Sequence, residues 1–177
     1  SAHFSVPSDT FVYFQLLDER GRMIQSMRSG ATVQSGETAG CTGCHENRRQ
    51  APPALAAVPL ALRRPPDPLE GWHGPARLFN YLAEVQPVFD RHCVRCHDFG
   101  QEAKSKVVLA ADRDLAFNAS YNELWRKKLI HAVGAGPADI LPAYSWGSTR
   151  SRLVEFLGPE HYEVRLDPAE FDRIVTW

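Results

Sequence analysis

The 177 residues contain four cysteines, and all four fall in two copies of one five-residue word: Cys41-Thr42-Gly43-Cys44-His45 and Cys93-Val94-Arg95-Cys96-His97. Cys-x-x-Cys-His is the attachment signature of c-type haem. The spacing has a chemical reason. Two thiols add across the two vinyl groups of the porphyrin, and two intervening residues on one helical turn set the sulfurs at the right separation. The neighbouring His then lies under the ring and offers an imidazole nitrogen to the iron. Competing uses of the cysteines fit less well. Paired Cys-x-x-Cys zinc sites have roughly 15–20 residues between the pairs, whereas 48 residues separate Cys44 from Cys93. A thioredoxin-like centre needs one such pair in a βαβ setting, and a disulfide framework does not require His at the same offset twice. Two covalently bound haem c groups are expected, with Cys41, Cys44, His45, Cys93, Cys96 and His97 holding them.

His45 and His97 are the proximal ligands by motif. Sixth ligands come mostly from His or Met, and the remaining supply is His3, His73, His92, His131 and His161 with Met23 and Met27. No Met follows residue 27, so a bis-His second haem is the simpler expectation. His131 flanks an apolar helix face. His161 lies just after a helix stop, where a loop could fold across a haem face. His92 adjoins Cys93 too closely to reach the far side of its own haem. Met23 and Met27 share one face of a strand upstream of the first motif, and ordinary packing is the commonest role of Met. Arg48, Arg49, Arg63 and Arg64 are candidate partners for haem propionates, although solvated Arg is the commoner fate.

The rest of the composition narrows the class. Twenty Lys and Arg against 21 Asp and Glu leave a net charge of −1 with no basic cluster, which is no footprint for a nucleic acid. No apolar run approaches the roughly 20 residues of a membrane span. Ser1-Ala2-His3 is not a signal peptide, and the sequence reads as a mature or excised piece of something longer. Haem c attachment happens outside the bacterial cytoplasm, so a periplasmic or other extracytoplasmic location is expected.

The elements that must position these residues divide into three stretches. Residues 1–50 carry a β-hairpin and the first motif: Val12, Phe14 and Leu16 alternate with Phe11, Tyr13, Gln15 and Leu17, Asp18-Glu19-Arg20-Gly21 turns, and Arg22 to Met27 returns. Residues 51–75 hold seven of the thirteen prolines, a composition that excludes regular helix and reads as a linker. Residues 76–177 read as a helical cytochrome c-like domain with the second haem. Pro87 suits a first helical position, and Val88, Phe89, His92, Cys93 and Cys96 share one face of that helix. Ser120-Tyr121-Asn122-Glu123 reads as a capping box opening a helix that ends near Gly134. Ser148 reads as the cap of another, with Leu153, Phe156 and Leu157 inward and Gly158-Pro159 closing it. Asp167-Pro168-Ala169-Glu170 opens the last. The expected fold is mainly α with a small N-terminal β-hairpin.

Several words of the sequence resemble proteins related to the hydrazine synthase alpha subunit. They are Val12-Tyr13-Phe14-Gln15-Leu16-Leu17-Asp18-Glu19-Arg20-Gly21, Met27-Arg28-Ser29, the first motif with Glu46-Asn47-Arg48, Val85 to His97, Leu141 to Ser148, and Ile174-Val175-Thr176-Trp177. The resemblance extends over nearly the whole chain and implies the C-terminal dihaem cytochrome c region of a longer, planctomycete-type multidomain protein. It implies that the second haem is a bis-His electron-transfer centre, with His161 at the position of the distal ligand. In hydrazine synthase the first haem is catalytic, its iron bound by a Tyr shortly after the motif. Glu46-Asn47-Arg48-Arg49-Gln50 contains no Tyr. An ordinary His45-ligated first haem is therefore expected, with Met27 opposite or with an open face.

Electron transfer to redox partner proteins or to other domains of a longer parent chain is the leading expectation. The alternative is a first haem whose open or labile sixth site makes it catalytic or gas-binding, as in an enzyme fragment. A structural zinc-bearing module is the third and predicts a colourless protein.

Overall fold

A computed structural model describes residues 1–41, 57–132 and 141–177. The chain divides into two compact units. One comprises Ser1–Gln15, Ser26–Arg77 and Gly136–Leu141, the other Leu16–Gln25, Leu78–Ala135 and Pro142–Trp177. The only sheet among the described residues is the hairpin of β1 (Gln15–Leu17) and β2 (Met23–Ser26). Its strands are shorter than the alternation predicts; Val12 makes only an isolated antiparallel bridge to Ala31. The turn closes as its residues suggest. Asp18 Oδ1 accepts the N–H groups of Arg20 and Arg22, both at 2.9 Å, and Gly21 takes φ 72°.

The described residues of the first unit bury little apolar surface. Among its described residues Ala61 is buried, while Phe11, Tyr13, Val58, Leu60, Leu62 and Leu69 are each more than half exposed. Backbone pairing organises it instead. Phe4 bridges in parallel to Asp67, with Ser5 N–H donating to Asp67 O and Asp67 N–H to His3 O, both 2.9 Å. A Cβ on Gly30 would meet the ring of Phe11, an exposed side chain that would have to turn aside.

The second unit is helical around one apolar core. α1 (Tyr81–Glu84) leads through Val85 into α2 (Gln86–His92), with Pro87 in the first turn where no N–H is needed. α3 spans Ala119–Arg126 and α4 spans Pro168–Thr176. Val85, Val88, Phe89, Val107, Leu109, Leu124, Leu129, Leu153, Leu157 and Ile174 form the core, with Cys93 and Phe156 packed against it. Burying an aliphatic or aromatic side chain of this kind is worth about 1.5–3 kcal/mol, so these side chains are the main source of cohesion.

Three helix expectations need correction. α3 is capped by Asn118, whose side-chain oxygen accepts from Tyr121 N–H, and not by Ser120. Ser120 is fully buried in a polar network: its hydroxyl donates to Gln86 Oε1 at 2.5 Å and lies 2.7 Å from the Tyr81 hydroxyl. Asn118 Nδ2 donates to the same Gln86 oxygen at 2.8 Å. α3 also stops at Arg126, well before residue 134, because Lys128 turns into a left-handed conformation at φ 54°. The predicted helix after Ser148 is two short 3-10 turns, Ser148–Arg150 and Arg152–Phe156, and Ser148 makes no cap bond. Leu153 and Leu157 are nonetheless buried.

The Asp167 capping box forms. Its side chain accepts from Glu170 N–H at 2.8 Å, and Glu170 Oε2 accepts from Asp167 N–H at 3.1 Å. Glu170 has a second task the sequence did not disclose. It pairs with Arg91 and with His92 Nε2, the latter at 3.0 Å, and so ties α4 to the end of α2. Arg173 and Glu84 approach to 3.3 Å and join α4 to α1. Burial pulls the Glu170 pKa up, but hydrogen bonds from Asp167 N–H and His92, with the His92 charge, outweigh it, and the net shift is downward.

The hairpin tip belongs to this unit. Tyr144 N–H donates to Ile24 O at 3.0 Å and Trp146 Nε1 to Gln25 Oε1 at 3.2 Å. Met23 is buried, and a Cβ on Gly147 would meet its Cε at 2.5 Å. Gly147 also has φ 76°, so both space and backbone demand glycine there.

Candidate haem-binding site

The second motif sits at the C-terminal end of α2. Cys93 caps the helix, its N–H donating to Phe89 O at 2.8 Å. The chain then tightens, with Cys96 and His97 N–H groups both donating to Cys93 O, at 3.0 and 2.9 Å. Because α2 ends at His92, the face read across Val88 to Cys96 does not continue. Cys93 is half-buried against the core, Cys96 is exposed, and His92 turns to Glu170 instead of sharing their edge. Burial pushes the Cys93 thiol up to about 11, so it carries little thiolate at neutral pH.

His97 is fixed by its surroundings. Its Nδ1 lies 3.1 Å from Val107 O. A carbonyl can only accept, so Nδ1 carries the proton and Nε2 keeps the free lone pair. The segment carrying Val107 is itself pinned to the motif: Ala103 N–H donates to Cys96 O at 3.3 Å and Leu109 N–H to His97 O at 2.7 Å.

The ring of His161 faces that of His97, with centroids 6.0 Å apart and planes 29° apart. An imidazole centre lies about 1 Å behind its ligating nitrogen and a metal–imidazole bond is about 2 Å, so trans imidazoles on one metal have centres about 6 Å apart. The pair has that spacing, which offset-stacked rings share. His161 is carried by a tight loop: its N–H donates to Gly158 O and Glu163 N–H to Pro159 O, both at 3.0 Å. Tyr162 and Glu163 both take left-handed φ, 50° and 60°. Rings of Phe156 at 5.1 Å and Tyr162 at 5.2 Å flank it. Burial first, then the nearby His97, lowers the His161 pKa, which favours the neutral imidazole.

Cys93, Cys96, His97 and His161 are the residue types that a covalently attached haem would use, and the 6.0 Å between the two imidazole centres is compatible with one. His131 is exposed, with its backbone N–H on Ser151 Oγ at 2.9 Å. The ring paired with His97 is that of His161. Sequence reasoning had counted Phe156 only as an inward apolar residue and had no signal for the Val107 carbonyl, since a backbone acceptor ten residues on leaves no mark in residue types.

Cys41 is an exposed free cysteine, while Cys44, His45, Arg48 and Arg49 lie outside the described residues. Met27 is half-buried, its N–H on Phe14 O at 2.8 Å. Met23 is occupied in packing against Gly147. Arg64 forks onto Asp67 at 2.5 and 2.8 Å, and Arg63 Nε donates to Val58 O at 3.2 Å.

Residues 1–46 match the family model described as the hydrazine synthase alpha subunit middle domain. The match relates this part of the chain to that enzyme family; it ends one residue past the first Cys-x-x-Cys-His. The later words read as similar, from Val85 to Trp177, lie beyond it, and the matched region is a middle domain of a longer protein, not a C-terminal one. No curated protein and no solved structure matches the chain. No helix among the described residues is long and apolar enough to cross a membrane.

Proposed function

We propose that the chain is a dihaem c-type cytochrome module that passes single electrons between partner proteins or between domains of a longer, extracytoplasmic parent chain. One observation carries the reading: the ring centre of His97, which closes a Cys-x-x-Cys-His motif, lies 6.0 Å from that of His161, so that both imidazoles could hold the same group. Bound haem supplies reversible one-electron chemistry at iron. The residues do the rest. Cys93 and Cys96 tether the group, the Val107 carbonyl orients the proximal imidazole, and the loop after Gly158 presents the distal one. Two imidazoles leave no position for a substrate, which suits electron transfer and not catalysis at this centre.

A second reading concerns the first haem, and the relation of residues 1–46 to an enzyme family favours it. With His45 on one side and no established ligand on the other, that centre is a candidate for small-gas binding or catalysis. Optical spectra of the reduced protein with and without CO separate the two. Two low-spin haems indifferent to CO support a pure carrier; a CO shift in one of two haems places an open site at the first. A colourless polypeptide of unmodified mass overturns both.

A further inference from the structure

We propose that Phe156 is a positioning residue whose ring sets the plane of the His161 imidazole, and with it the near-parallel angle between the two axial ligands. The inference rests on the bis-His haem reading above. Each imidazole plane is held by a separate device. His97 is oriented by its hydrogen bond to Val107 O at 3.1 Å. Among the described residues the ring of His161 has no hydrogen-bond partner that could orient it, and besides His97 its ring neighbours are two aromatic side chains. Phe156 approaches at 5.1 Å with a 59° tilt, and Tyr162 at 5.2 Å edge-on. Phe156 is packed against the core, whereas Tyr162 is 81% exposed. Only the first can hold a fixed position, so rotation of His161 about its Cβ–Cγ bond is limited chiefly by Phe156.

The angle matters because an imidazole donates π density to the iron through the orbital perpendicular to its ring. Planes 29° apart send that density mainly into one of the two iron dπ orbitals and split them. Perpendicular planes would load both equally. The ferric centre is therefore expected to be rhombic low-spin, and the identity of residue 156 governs how rhombic.

The experiment is electron paramagnetic resonance of the oxidised full chain with its haems attached, comparing the parent with Phe156→Leu and Phe156→Tyr. A rhombic low-spin signal is expected in the parent, moving toward an axial type in Phe156→Leu while haem content and low-spin optical bands persist. Phe156→Tyr, which keeps the ring, should retain the parent signal. Phe156→Leu indistinguishable from the parent overturns the proposal. Should the leucine variant fail to fold, Phe156→Met replaces it, and the parent by itself remains decisive: only axial low-spin signals would already refute a near-parallel pair. Absence of any covalent low-spin haem in the parent refutes the underlying reading instead.

Discussion

Val107 and Phe156 act on the two candidate ligands in different ways, and the difference can be measured. The carbonyl of Val107 draws on the His97 Nδ1 proton, making the free nitrogen a better donor. His161 depends on a loop in which two consecutive non-glycine residues adopt left-handed backbone. Such residues cost on the order of 1–3 kcal/mol each and persist where surrounding contacts over-determine them. The loop is held by Val164, which is buried, and by the hydrogen bonds to Gly158 and Pro159. His161→Ala is expected to turn the second haem high-spin and open it to CO. An unchanged optical spectrum would return the assignment to His131. At the first motif, Met27→Ala should abolish any thioether–iron absorption band at the red end of the spectrum; a parent without that band leaves Met27 to packing.

At the scale of elements, α2 and α4 form the frame on which the motif hangs. Glu170 serves both as the first-turn (N3) acid of its own capping box and as the partner of Arg91 and His92. Its lowered pKa means that the unfolded chain takes up this proton at a higher pH than the folded one. The stabilisation it contributes is thus complete above its unfolded value of about 4.3 and lost as pH falls through the lower folded value. Acid titration of helical circular dichroism should show a transition in that window, and Glu170→Gln should flatten it. Because Arg91 is two-thirds exposed, the pair with it is solvent-screened, and the capping bonds matter more. Asp167→Ala is expected to cost about 1 kcal/mol in chemical denaturation. The core beneath is more demanding: Phe89 is fully buried, and Phe89→Ala should cost about 3–5 kcal/mol. A loss below 1 kcal/mol would show that this core contributes little to the second unit.

For the whole molecule, the two units differ in how much of their own stability they can supply. The second has a contiguous apolar core joined to a buried polar network of Gln86, Asn118 and Ser120. Among the described residues of the first there are backbone bridges and mostly exposed apolar side chains. If haem supplies core to both, removing an attachment should be felt as misfolding as well as loss of colour. Cys93→Ala or Cys96→Ala is expected to leave one haem of two by mass and to lower the thermal stability of the helical unit. Retention of two haems would contradict the assignment.

Much of this was legible in residue order. The paired Cys-x-x-Cys-His words, the hairpin turn at Asp18–Gly21, the start of α2 at Pro87 and the capping box at Asp167 are local, set by side chains and backbone within a few residues of one another. The failures share a cause as well. Ser120 was read as a cap because its i+3 neighbour is Glu, but Gln86, 34 residues away, claims its hydroxyl. His92 was placed on the thiol face because a helix was extended past the residue where it ends. Which histidine meets His97 was undecidable from spacing, since 64 residues separate the two rings and only folding brings them within 6.0 Å. Local chemistry therefore determined the kind of cofactor to expect and the residues that would tether it. The choice of distal ligand and the angle at which it is presented belong to tertiary packing, because they depend on contacts between segments that no short window of sequence contains.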